Sequence, residues 1–140
     1  MIWMLMRMSE LPGWPSGQEI ISMMCDMIGE LVAHIPAHSW APEAMVVVRR
    51  WCAGDADYAD LRHAVAIVAP EAHTGFGVES DAIDVVACLC RSAELITTND
   101  IHSAADEAAE CLDILDHYVA SDRQADAIRA SVDRLGYAIA

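Results

Sequence analysis

Apolar residues return every three or four positions along most of the chain, which is the spacing of one face of an α-helix. The first clear run contains Ile20, Ile21, Met24, Met27, Ile28 and Leu31. It follows Ser16-Gly17-Gln18-Glu19, a capping-box pattern in which a serine and a glutamate three residues later satisfy free backbone amides. The pattern predicts a first helix over residues 18–33, with Pro36 ending it.

A second helix is predicted over residues 44–52, because Pro42 suits the first turn of a helix and Gly54 suits its end. The three valines at 46–48 also fit a short buried strand. A lone strand would have no partner in this chain. The helix is therefore favoured.

Asp55 or Asp57 is expected to cap a third helix, which Pro70 ends or kinks. The glycines around Phe76 then predict a loop, and Ser80 is expected to cap a fourth helix that runs to about residue 94.

The last two helices are predicted from polar clusters that precede apolar stripes. Residues 97–100 (Thr-Thr-Asn-Asp) supply turn and capping oxygens for the fifth helix, and Ser121 with Gln124 forms a second capping box that opens the sixth. The expected packing positions of the sixth helix are Ala125, Ile128, Val132, Leu135 and Ile139.

Together these patterns predict an all-α fold, a compact bundle of about five to six antiparallel helices, since short connections place successive helices side by side. We expect residues 15–140 to form a single helical domain and residues 1–14 to form an N-terminal tail or strand-like arm. The opening Met1–Met8 is apolar but too short to span a bilayer, and Met8 remains an alternative start of the protein.

Net charge changes this picture most. Twenty-two acids face eight bases, all of them arginine, which gives −14. Such a charge repels nucleic-acid phosphates and anionic membranes and attracts basic proteins. We therefore expect no direct nucleic-acid binding, no membrane binding, and a basic protein partner, although acidity can also serve only to keep an apolar chain in solution.

The candidate partner-binding residues lie on the fifth and sixth helices. On the fifth helix, acids recur at steps of three and four residues opposite an Ala/Leu face. The predicted binding set is Asp106, Glu107, Glu110, Asp113, Asp116, Asp122 and Asp126. A solvated helix face is the competing interpretation.

Cysteines and histidines give no specific sign of catalysis. Five cysteines, without a Cys-x-x-Cys motif, predict reduced, buried thiols in a cytoplasmic protein. His34 and His38 are separated by Pro36, which breaks the helix that would align them as metal ligands. We therefore predict no catalytic residue, no metal site and no cofactor.

One segment of the chain is similar to a known class of proteins. Arg50-Trp51-Cys52-Ala53-Gly54 and Leu61-Arg62-His63-Ala64, followed by Ala-rich helices, resemble helical immunity proteins of bacterial polymorphic-toxin systems over about residues 44–112. The resemblance implies a cytosolic inhibitor that binds one cognate toxin, with an acidic surface covering a basic active site.

The function expected from charge and resemblance is a non-enzymatic, acidic binding protein that neutralises a basic protein effector. One alternative is a phage-type anti-defence inhibitor that mimics nucleic-acid charge. Another is a small ligand- or metal-binding bundle that uses His63, His102 or His117. A homodimer through exposed Met and Trp side chains stays open.

Overall fold

The computed structural model describes residues 1–134 and 136, apart from the side chain of Ser121. These residues form helices and connections and contain no strand, which confirms the predicted all-α bundle. The helices are α1 (Ile2–Arg7), α2 (Gly17–Met27), α3 (Gly29–Val32), α4 (Ala41–Cys52), α5 (Tyr58–Val68), α6 (Val78–Thr97), α7 (Ile101–Leu115) and α8 (Ser121–Arg134).

The N-terminal segment is helical, so the strand-like arm is wrong. Ile2, Leu5 and Met6 of α1 are buried, and this short helix packs mainly on α7. Their burial explains why the opening residues are so apolar. The division of the chain at residue 14 stays a prediction.

The predicted capping box opens α2. The hydroxyl of Ser16 accepts a hydrogen bond from the Glu19 amide, and the Glu19 carboxylate accepts one from the Ser16 amide, both at 3.2 Å. The expected continuous helix over 18–33 is interrupted at Ile28, where φ is −85° and ψ is 0°. Gly29 follows the interruption, and glycine is a weak helix former.

The next two helices begin and end close to the predicted positions. Residues 46–48 are helical, with Val48 buried and Val46 exposed, so the strand alternative is wrong. Of the two proposed caps for α5, Asp57 is the one used. Its carboxylate accepts a hydrogen bond from the Asp60 amide, and the Asp60 carboxylate accepts one from the Asp57 amide.

Helix α6 begins earlier and ends later than predicted. The predicted cap, Ser80, lies inside the helix, and its buried hydroxyl has no hydrogen-bond partner among the described atoms. Gly77 precedes the helix instead, with φ at +98°. This left-handed conformation, which glycine adopts without steric cost, directs the chain into the helix before Ser80 is reached.

Small side chains let α6 and α7 pack closely, and this is the most extensive helix contact of the fold. Ala104, Ala105 and Ala108 are fully buried on α7. Across the contact, the buried Ser92 hydroxyl donates to the carbonyl of Ala104 at 2.8 Å. Asp100 caps α7, as the polar cluster predicted, by accepting from the amide of Ser103.

Helix α8 packs on α2 through its apolar face, where Ile128 and Val132 are buried. The predicted capping box at the start of α8 depends on Ser121, whose side chain lies outside the described part of the chain, and it stays a prediction. The side-chain amide of Gln124 donates to the Asp116 carboxylate at 2.6 Å and to the Val119 carbonyl at 3.0 Å. The predicted packing positions Leu135 and Ile139 lie outside the described residues.

Two additional features turn the expected six helices into eight within the described residues. They are α1, and the separation of the first predicted helix into α2 and α3. Over the same residues, no helix is both long and apolar enough to cross a lipid bilayer.

Candidate partner-binding face

Three of the predicted acids share one exposed face of α7. Asp106, Glu110 and Asp113 are spaced by four and three residues, so their side chains project from the same side of the helix. All three are exposed. We call this set the α7 acidic stripe.

The N-terminal end of the stripe is held by α1. The indole Nε1 of Trp3 donates to the Asp106 carboxylate at 2.9 Å, and the Nε2 of His102 lies 3.7 Å from the same carboxylate. Arg7 contacts the His102 ring and lies 5.0 Å from the centre of the Trp3 ring. Asp106 therefore serves to join α1 to α7 as well as to carry charge.

Glu107 and Asp116 point away from the stripe in opposite directions around α7. Glu107 is half-buried toward α6, where burial and the neighbouring Glu110 raise the pKa of its carboxyl. Asp116 is exposed and accepts the hydrogen bond from Gln124 of α8. Neither residue adds to the stripe itself, although Asp116 lines a neighbouring groove.

A groove of about 250 Å³ lies between α1, α7 and α8 and borders the stripe. Leu112 and Ala125 contribute apolar surface to it, Trp3 lies at the α1 side, and Asp113 and Asp116 contribute carboxylates. Apolar surface next to carboxylates suits a basic side chain, because its hydrocarbon stem can pack while its charged end meets an acid.

The two predicted acids on α8 are less available. Arg129 forms an ion pair with Asp126 at 3.1 Å, and the amide of Arg123 donates to Asp122 at 2.9 Å. The local field of α8 is therefore mixed in sign. By contrast, Glu110 and Asp113 make no ion pair with an arginine within residues 1–134 and 136.

Potential metal ligands converge at one place in the described part of the chain, and that place contains no histidine. Cys88, Glu107 and Glu110 have ligand atoms within 4.8 Å of one another. Burial, reinforced by Cys111 and the nearby acids, raises the pKa of the Cys88 thiol, so this sulfur holds its proton. No sequence pattern predicts this group, because Cys88 lies on α6 whereas Glu107 and Glu110 lie on α7.

Four of the five cysteines are buried, as expected, and Cys52 is the exception. Its side chain is partly exposed and lines a cavity of about 450 Å³ between α2, α4 and α8. The expectation that all five thiols are buried is therefore wrong at this position. The reason is that Cys52 is the last residue of α4, where the helix leaves the core.

The fold and this face define the molecule as a helical bundle with an acidic stripe beside an amphipathic groove. No family model, no curated protein and no solved structure matches the chain.

Proposed function

We propose that this protein is a non-enzymatic binding protein that neutralises a basic protein effector, in the manner of an immunity-type inhibitor. The observation that carries the proposal is the α7 acidic stripe, whose Glu110 and Asp113 have no arginine partner in the described residues. Asp113 also lines the amphipathic groove between α1, α7 and α8.

Charge supports the choice of partner. Residues 78–140 hold thirteen acids and four bases, whereas residues 1–77 hold nine acids and four bases. An excess of negative charge steers the encounter with a positively charged protein and raises the association rate. The same field opposes the approach of nucleic acid.

The groove supports the proposal that binding is specific. Charge alone supplies rate and orientation, while affinity comes from a few buried anchors near the centre of an interface. Leu112, Ala125 and the ring of Trp3 offer apolar surface for one such anchor, and Asp113 meets the charged end of an arginine or lysine. The Trp3–Asp106 hydrogen bond holds the α1 side of this surface in place.

A charge-reversal experiment tests the proposal. The double variant Glu110→Lys plus Asp113→Lys is compared with Glu43→Lys plus Asp55→Lys, which makes the same change in net charge at exposed positions. Glu43 lies in the first turn of α4 and Asp55 follows that helix, which packs on α2, α5 and α6. Each immobilised protein is used to capture proteins from a lysate of the source cells, and the captured proteins are identified by mass spectrometry.

The expected result is a basic protein that wild type and the control variant retain and that the stripe variant loses. Affinity of the purified partner should fall at least about tenfold in the stripe variant, which corresponds to about 1.4 kcal/mol. Its dependence on salt should also weaken. Equal capture by the stripe variant, or equal loss in the control variant, would reject the stripe as the binding site.

A further inference from the structure

The half-exposed Cys52 is one member of a thiol pair that the fold creates. Cys25 lies on α2 and Cys52 ends α4, and the two helices pack against each other. The two side chains lie close enough for each thiol to shift the pKa of the other. Across the same contact, Arg49 of α4 donates from its guanidinium to the carbonyl of Cys25 at 3.3 Å.

The two sulfurs differ in their access to solvent. Cys25 is 1% exposed, whereas Cys52 is half-buried and lines the cavity of about 450 Å³. Polar residues share the lining, including Ser22, Asp26 and Arg134. A small polar reagent can therefore reach Cys52 from the cavity, whereas Cys25 is shielded from solvent.

The surroundings of the pair favour a thiolate at Cys52. The hydrogen bond from Cys25 lowers the pKa of the Cys52 thiol, and the positive charge of Arg49 lowers it further, although burial and Asp26 act in the opposite direction. The pKa of the Cys25 thiol is raised, first because Cys25 is the donor toward Cys52, and then because burial and the negative charge of a Cys52 thiolate disfavour its ionisation. The Cys52 sulfur, which borders the cavity, is thus the nucleophile, and the buried Cys25 sulfur keeps its proton.

We propose that Cys52 and Cys25 form a reversible thiol–disulfide pair, in which Cys52 reacts with a hydroperoxide in the cavity and Cys25 resolves the product. This inference is independent of the α7 acidic stripe. It assigns to the chain a site of oxidation on the side of the fold formed by α2, α4 and α8.

The chemistry balances with hydrogen peroxide as the oxidant. The Cys52 thiolate attacks one peroxide oxygen, the O–O bond breaks, and the products are a sulfenic acid on Cys52 and hydroxide. The Cys25 sulfur then attacks the Cys52 sulfur, and the sulfenic hydroxyl leaves as water with the thiol proton of Cys25. Two thiols lose two electrons in total, the peroxide gains them, and an added dithiol reverses the disulfide.

The three remaining cysteines are internal controls, because they lack both access and activation. Cys88, Cys90 and Cys111 are almost fully buried. Burial raises the pKa of Cys90 and of Cys111 to about 12, and it also raises the pKa of Cys88. A thiol that stays protonated reacts slowly with peroxide, since the thiolate is the nucleophile.

The experiment exposes the reduced, full-length protein to a small molar excess of hydrogen peroxide. Remaining thiols are then alkylated in denaturant, and the protein is digested without reductant. Mass spectrometry should find one dominant cross-link, between the peptides that contain Cys25 and Cys52, and dithiothreitol should remove it. In Cys25→Ser the cross-link should be lost, while dimedone should trap a sulfenic acid on Cys52.

Cys52→Ser should abolish both products, and Cys90→Ser, the matched control, should leave the cross-link unchanged. The wild-type peptide map decides the question even if a serine variant folds poorly. A Cys25–Cys52 cross-link that is absent, or no more abundant than links involving Cys88, Cys90 or Cys111, would overturn the proposal.

Discussion

At the scale of single residues, backbone conformation separates glycines that look alike in the sequence. Gly54 adopts φ of +83° after the end of α4, a conformation that disfavours any side chain. Gly29 begins α3 with an ordinary φ, and a methyl group added there would meet no atom within 4 Å. The sequence predicted a helix end at Gly54 but could not show that Gly29 is replaceable.

Substitution of the two glycines by alanine is therefore expected to change the stability of the protein in opposite directions. Gly29→Ala should raise the free energy of unfolding by about 0.5 kcal/mol, because the unfolded chain loses freedom and the helix gains a better former. Gly54→Ala should lower it by about 1 kcal/mol, because the left-handed conformation strains an L-residue. Urea denaturation followed by circular dichroism measures both, and effects of the same sign would contradict the explanation.

At the scale of elements, α1 shows how a short helix is stabilised by what it contacts. Six residues are too few for an isolated helix in water. Burial of Ile2, Leu5 and Met6 supplies the missing stability, and Trp3 adds a hydrogen bond to α7. The sequence showed an apolar opening but no period long enough to identify its structure, so the strand-like arm remained open until the tertiary contacts were known.

Two methionines of α1 test this account. Met6 is fully buried and Met4 is 60% exposed, so the same change to alanine removes very different amounts of buried surface. Met6→Ala should lower the unfolding free energy by roughly 2 kcal/mol, whereas Met4→Ala should change it by less than about 0.5 kcal/mol. Similar losses in chemical denaturation of the two variants would show that α1 does not pack as described.

At the scale of the whole molecule, the charge of −14 opposes folding because it holds like charges close together. The ion pairs found among the described residues do little to offset it. Those of Arg49, Arg123 and Arg129 join groups that are more than half exposed, and such pairs contribute little in water. Stability should therefore depend on the screening of charges by salt.

Raising the ionic strength from about 0.01 M to 0.15 M shortens the Debye length from about 30 Å to 8 Å. We expect the thermal midpoint of the protein to rise by about 4 °C, which corresponds to roughly 1 kcal/mol for a domain of this size. Glu43→Lys plus Asp55→Lys, which changes the net charge from −14 to −10, should show a smaller rise. Calorimetry measures the thermal midpoint at each salt concentration. A midpoint that stays constant or falls as salt is added would contradict this prediction.

The sequence by itself determined the helices and several of their starts, because periodic apolar faces and capping boxes act within a few residues. Ser16 with Glu19 is such a local signal, and so is Asp57 before α5. It also placed Asp106, Glu110 and Asp113 on one helix face, since that face follows from helical geometry alone.

Only the tertiary structure decided which of these residues meet others. The bond from Trp3 to Asp106 joins positions 103 residues apart, and the Cys25–Cys52 contact depends on how α2 packs on α4. The hydrogen bond from Gln124 of α8 to Asp116 and the burial of Glu107 also depend on how the helices pack. Spacing along the chain fixes the side of a helix on which a residue lies, whereas its partners depend on helix packing, which no short sequence pattern encodes.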